Sequence, residues 1–76
     1  MAELRILDAK GLRCPIPVLK ARKAMKDLPA GGTLRVLATD PGAIKDFEAF
    51  CKTTGYRLLT TSRDGDILIF DIQKTN

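Results

Sequence analysis

The 76-residue sequence contains no histidine and no tryptophan, and only two cysteines, Cys14 and Cys51. Without histidine the usual general base is missing, so a Cys-His hydrolytic arrangement cannot be assembled from this chain alone. Two thiols are too few for a disulfide framework or a four-ligand zinc site, so free thiols and no metal or cofactor are expected. Aromatic residues are equally scarce: Phe47, Phe50, Tyr56 and Phe70 are the whole set. Such a set offers no evident platform for stacking bases. The longest apolar run, Ile67 to Phe70, is far below the roughly 20 residues of a membrane span, and Met1-Ala2-Glu3 does not open a signal peptide. A cytoplasmic protein without a membrane role is the expectation.

What is present suits one small domain, residues 1–76, folded as a monomer. Hydrophobic residues make up 45% of the chain and charged residues 29%, the balance of a globular rather than a disordered sequence. The net charge is +4, and it is unevenly spread. Between Ala9 and Met25 lie Lys10, Arg13, Lys20, Arg22 and Lys23 without one acidic residue. A positive field around Cys14 could steer an acidic protein surface or a nucleic acid, and charge alone does not choose between them.

Periodicity divides the chain into six elements. Leu4 to Leu7 is a short apolar run, and Asp8 to Arg13 a polar connection containing Gly11. Val18, Ala21, Met25 and Leu28 then share one side of a helix whose other positions include Lys20, Arg22, Lys23 and Lys26. Pro29 to Gly32 stop it. Thr33 to Thr39 alternates as a strand, and Asp40-Pro41 opens a second helix, the carboxylate capping and the proline lacking only a donor the first turn can spare. On that helix Ala43, Ile44, Phe47, Phe50, Cys51 and Thr54 form one apolar arc, and Gly55 ends it. Tyr56 to Ser62 and Ile67 to Ile72 flank Arg63-Asp64-Gly65-Asp66, a hairpin composition. The order βαβαββ predicts an α+β fold, a two-layer sandwich of a four-stranded mixed sheet with both helices on one face. If the first two strands are parallel, Cys14 and Asp40 meet at one sheet edge.

Cys14 is followed by Pro15, Ile16 and Pro17, which predicts a helix starting at Pro15 with Cys14 as its N-cap. The helix N-terminus, Arg13 and Lys10 would then lower the thiol pKa, moderately, since the prolines leave chiefly the Ile16 and Val18 N–H groups facing the sulfur. Asp40, if close, would oppose this. A moderate thiolate suits reversible exchange. The plainer reading makes Cys14 an inert small residue, Gly11 a turn former, Asp40 a helix start and the basic stripe a solvated face. Leu19, however, projects among Arg22, Lys23 and Lys26, as a docking surface would require. Cys51, on the apolar arc, is assigned to the core.

Leu7, Asp8 and the run Gly11-Leu12-Arg13-Cys14-Pro15-Ile16-Pro17-Val18, followed at matching distance by Asp40-Pro41-Gly42, resemble the signature of the TusA/SirA-like sulfur-carrier family. The resemblance extends over nearly the whole chain. It implies a βαβαββ sandwich and a persulfide held on Cys14, the cysteine of the Cys-Pro-x-Pro motif. It further implies a carrier rather than a multiple-turnover enzyme. Sulfur would come from a cysteine desulfurase or a rhodanese and pass to a DsrE-type or similar cysteine-bearing acceptor. The onward routes known for the family are tRNA 2-thiouridine, molybdenum cofactor assembly and sulfur oxidation. By the same reading Lys10, Gly11, Arg13, Pro15, Pro17 and Asp40 support the loop, and Leu19, Arg22, Lys23 and Lys26 dock partners. Two rivals stand beside it: a small basic nucleic-acid-binding or regulatory module, and a redox protein pairing Cys14 with Cys51. The second lacks Cys-x-x-Cys spacing and needs Cys51 to leave the core.

Overall fold

Strict alternation of burial in Thr33–Ala38 (β2), with Leu34, Val36 and Ala38 inside, marks a strand covered on one face only. In the computed structural model, which describes residues 3–75, it lies inside a four-stranded sheet with Leu4–Ala9 (β1), Arg57–Asp64 (β3) and Ile67–Gln73 (β4). The strand order is β1-β2-β4-β3. β1 pairs with β2 in parallel, whereas β4 pairs antiparallel with both β2 and β3, so the sheet is mixed. Leu68, Phe70 and Ile72 of β4 continue the buried rows of β2.

Ile16–Lys26 (α1) and Ala43–Thr54 (α2) cover those rows. α1 contributes Pro17, Ala21 and Met25, with Leu28 just beyond it; α2 contributes Ala43, Phe47, Phe50 and Cys51. The Phe47 ring stacks on Phe70 at 4.7 Å between centroids and meets Phe50 edge-on at 6.2 Å, tying α2 to the sheet. Cys51 is buried in this cluster, as its place on the arc predicts. Pro17 is also fully buried, a core position the periodic reading did not include.

Boundaries differ from the sequence reading in instructive ways. β1 continues through Asp8 and Ala9, because parallel pairing with Leu37 and Ala38 extends it past the apolar run. The hairpin turn shrinks to Gly65-Asp66, Gly65 taking φ 60° where a two-residue turn needs a positive value. Leu58 and Thr60 bracket a register shift in β3. The sheet's outer face is left open, with Leu4 and Ile6 exposed and Arg35 paired to Asp71 through two hydrogen bonds of 2.8 and 3.0 Å. Among the described residues no helix is long and apolar enough to cross a membrane.

Candidate functional site

Because β1 and β2 run parallel, the connections leaving their C-terminal ends emerge side by side. The first carries Cys14 and the second Asp40, and they are joined directly: the Cys14 N–H donates to Asp40 Oδ2 at 2.8 Å. The other oxygen, Oδ1, accepts from the Gly42 N–H at 3.0 Å. One carboxylate thus fixes two loops 26 residues apart. Thr39 adds a further tie, its Oγ1 accepting from the N–H of Gly11 at 2.9 Å. Gly11 holds φ 80°, a left-handed turn that a side chain would strain.

Both helix starts lie later than predicted. The first intrahelical bond of α1 runs from the Leu19 N–H to the Pro15 carbonyl at 3.1 Å, so Pro15 is the N-cap and Cys14 stands one residue outside. The Ile16 N–H, expected to face the sulfur, is occupied by the Arg13 carbonyl at 2.9 Å. In α2 the N-cap is Gly42, and Asp40 acts two residues upstream through its turn with Gly42 rather than as the cap.

The electrostatics correct the expectation of a lowered thiol pKa. The Cys14 thiol is pushed up to about 11, chiefly by burial, then by the Asp46 carboxylate and finally by the charge of Asp40. The cations counted near it in sequence are engaged elsewhere. Lys10 Nζ is 3.9 Å from Asp8 Oδ2, and Arg13 acts on Asp40. The Asp40 carboxyl is held below the usual carboxylate range by the N–H groups of Cys14 and Gly42, with a smaller contribution from Arg13. Cys14 is half-buried, while Cys51 lies deeper and its thiol is raised by burial alone.

Between the helices beside Cys14 runs an open groove of about 260 Å³, walled by Pro15, Val18 and Arg22 on one side and by Asp46, Ala49, Phe50 and Thr53 on the other. The Arg22 guanidinium lies 6.0 Å from the centre of the Phe50 ring. Arg22 also borders a second depression, of about 500 Å³, with Leu19, Lys23, Lys26 and Asp27. The four residues read as a docking stripe therefore do share one surface, with Leu19 59% exposed, and Arg22 links that surface to the groove.

Sequence reasoning brought Cys14 and Asp40 together and missed Asp46, Thr39 and the Arg22–Phe50 contact. Asp46 had one available signal: it is the acidic residue in the first turn of α2, at the edge already assigned to Cys14. No cluster of three or more metal-ligating side chains is present among the described residues.

Residues 5–74 match the family model described as sulfurtransferase TusA. The chain is 46% identical over 69 residues to the sulfur carrier protein TusA of Allochromatium vinosum, covering 91% of each. It is 50% identical over 70 residues to the putative sulfur carrier protein YrkI of Bacillus subtilis, covering 92% of this chain and 93% of that protein. The crystal structure of a SirA-like protein from Desulfitobacterium hafniense superposes with a TM-score of 0.83 at 28% identity, over 95% of this chain and 99% of that one.

Proposed function

This chain belongs to the TusA sulfurtransferase family, and on that premise we propose that it is a sulfur carrier whose cargo is a persulfide on Cys14. The observation that supports this most directly is the setting of Cys14: a half-buried thiol whose own N–H is anchored by Asp40, beside a groove on the helical face. A fixed backbone presents the sulfur without the entropy cost of ordering a loose tip at each encounter.

The reaction is a sulfane exchange. Cys14 loses its proton to solvent, and its thiolate attacks the outer sulfur of a donor cysteine persulfide. A new S–S bond forms, the donor's S–S bond breaks, and the electron pair leaves on the donor as thiolate. The product is Cys14-S-SH. Attack by an acceptor thiolate on the outer sulfur repeats the step and returns Cys14 as thiolate, so the cycle needs no oxidant or reductant. Asp40 and Thr39 hold the loop, through the Cys14 and Gly11 N–H groups.

A cysteine desulfurase or a rhodanese fits as donor, and a DsrE-type cysteine-bearing protein as acceptor in a tRNA thiolation, molybdenum cofactor or sulfur oxidation relay. Leu19, Arg22, Lys23 and Lys26 would receive them, a mixed apolar and cationic patch suited to an acidic partner surface. The protein acts in the cytoplasm as a monomer between encounters. Intact-mass spectrometry after incubation with a cysteine desulfurase and cysteine is the test. One added sulfur, about 32 Da, reversible by reductant and missing in Cys14→Ser, is expected. Loading of the variant, or none of the wild type with either donor class, refutes the reading.

A further inference from the structure

Two strands of the sheet have a neighbour on one side only, β1 and β3, and their free edges are built differently. Sheets blunt an edge with bulges and charges, since its unpaired N–H and C=O groups otherwise recruit another strand. β3 is blunted in this way: its register shifts between Leu58 and Thr60, and Arg57, Arg63 and Asp64 stand along it. β1 is not. It keeps one unbroken register with β2 from Leu4 to Ala9. The Glu3 carbonyl accepts from the Thr33 N–H at 2.7 Å, which turns the backbone groups of Glu3, Arg5, Leu7 and Ala9 toward β2. By the alternation of a strand, those of Leu4, Ile6 and Asp8 turn outward, where no further strand lies. The charges of β1 pair locally, Arg5 with Glu3 and Asp8 with Lys10.

The two faces of this edge differ in chemistry. On the outer face Leu4 and Ile6 are exposed. On the helical face a depression of about 270 Å³ lies between β1 and α1, lined by Leu7, Lys20, Lys23, Ala24 and Asp27. α1 runs back against the direction of β1, as the crossover between parallel strands does, so Lys20 and Lys23 stand toward the Cys14 end and Asp27 toward the other. Among the described residues neither lysine takes part in an ion pair. Lys23 and Asp27 also line the depression that holds Leu19, Arg22 and Lys26, so the edge is continuous with the α1 stripe.

We propose that the free edge of β1 is a strand-addition site for an extended acidic segment of a partner protein. The edge itself selects an extended chain, because a strand is what satisfies backbone groups repeating at every second residue. Such a strand lies about 4.8 Å outside β1 and turns its side chains alternately to the two faces. Those on the outer face sit beside Leu4 and Ile6 and suit apolar residues; those on the helical face overhang the depression, where a carboxylate meets Lys20 and Lys23. The segment therefore alternates apolar and acidic residues, its acids at the Cys14 end and clear of Asp27. A partner seated on the α1 stripe reaches this edge along one continuous surface. The persulfide step uses none of the edge's backbone groups, so the site stands or falls independently of the sulfur reading.

The test is amide-proton exchange with water, read residue by residue by NMR on the reduced wild-type chain, with a capped hexapeptide alternating valine and glutamate as the probe. An outward amide bonded only in the complex exchanges from the free fraction alone, about tenfold more slowly at roughly 90% occupancy. Leu4, Ile6 and Asp8 are expected to slow, while Arg5 and Leu7, already bonded to β2, stay unchanged. The same peptide with lysine for glutamate should bind at least about tenfold more weakly, repelled by Lys20 and Lys23. Ile6→Pro removes an outward donor without touching the bonds to β2, and should abolish the slowing. If that variant melts well below wild type, Lys20→Glu combined with Lys23→Glu decides instead, with the preference expected to reverse toward the lysine peptide. No slowing at about 1 mM glutamate peptide overturns the proposal. So does equal binding of both peptides, or slowing that ignores the alternation. Slowing that rises with protein concentration alone overturns it too, because a second copy of β1 would then fill the edge.

Discussion

Phe47→Ala isolates the contact that holds α2, and with it Asp46 and the Asp40 turn, against the sheet. Phe47 is fully buried, stacked on Phe70 and edge-on to Phe50. Truncating such a ring removes its transfer free energy and leaves a cavity, a loss of about 3–5 kcal/mol. A chain of 76 residues has roughly 4–11 kcal/mol in total, at 0.05–0.15 kcal/mol per residue. The variant should therefore lose about a quarter or more of its stability, and melt at least about 12 °C lower at 4–8 °C per kcal/mol. Urea unfolding followed by far-UV circular dichroism measures it, with Cys51 as a built-in second reporter. Its buried thiol should react with an electrophile faster in the variant, in proportion to the population of opened molecules. A loss under about 1 kcal/mol with unchanged denaturant dependence would refute the reasoning, because it would mean the ring does not close the layer between α2 and β4.

Reversing charge at Lys23 and Lys26 with Glu should weaken desulfurase binding about tenfold or more at low salt, measured by calorimetry, while alkylation of Cys14 stays as in wild type; unchanged affinity would remove the stripe as a docking surface. Arg22 is left intact in that test because of its contact with Phe50. Acid stability gives another. The Asp71 carboxyl is held low chiefly by its hydrogen bond with Arg35, and that of Asp40 by the Cys14 and Gly42 N–H groups. Depressed folded-state values mean stabilisation that is present above the ordinary value of 3.8 and lost as pH falls through the lower folded one. Urea midpoints should hold from neutrality to about pH 4 and fall below it, less steeply in Asp71→Asn; a decline that begins above pH 5 would point to other groups.

Much of the architecture was legible because it rests on local regularities. Burial in β2 follows the alternation of Leu34, Val36 and Ala38, and the α2 arc of Ala43, Phe47, Phe50 and Cys51 follows the helical period. Where the reading slipped, a long-range partner had overruled the local signal. Asp8 and Ala9 look like loop residues until β2 supplies hydrogen bonds to them. Pro17 looks like a surface helix-starter until the sheet beneath it is in place, where it is fully buried. The open face of the sheet, where Ile6 is 63% exposed, breaks the link between apolar character and burial altogether.

The site shows the same division more sharply. Its position was predictable, since parallel strands send both connections to one edge and a short polar side chain such as Asp40 can join them. Its charge was not. Along the chain Cys14 is surrounded by cations, and counting neighbours in sequence gives a moderately lowered thiol pKa. In space the charges that act on the thiol are those of Asp46 and Asp40, delivered by α2 and the turn before it, while Lys10 lies beside Asp8 and Arg13 acts on Asp40. A coulombic interaction falls with distance through space, and burial first removes the water that would have screened it. A basic segment can therefore enclose an acidic pocket. On the proposed reading the exposed cations of α1 serve the approach of a partner while the two carboxylates set the charge at the sulfur, a division that one net charge for the segment would have merged.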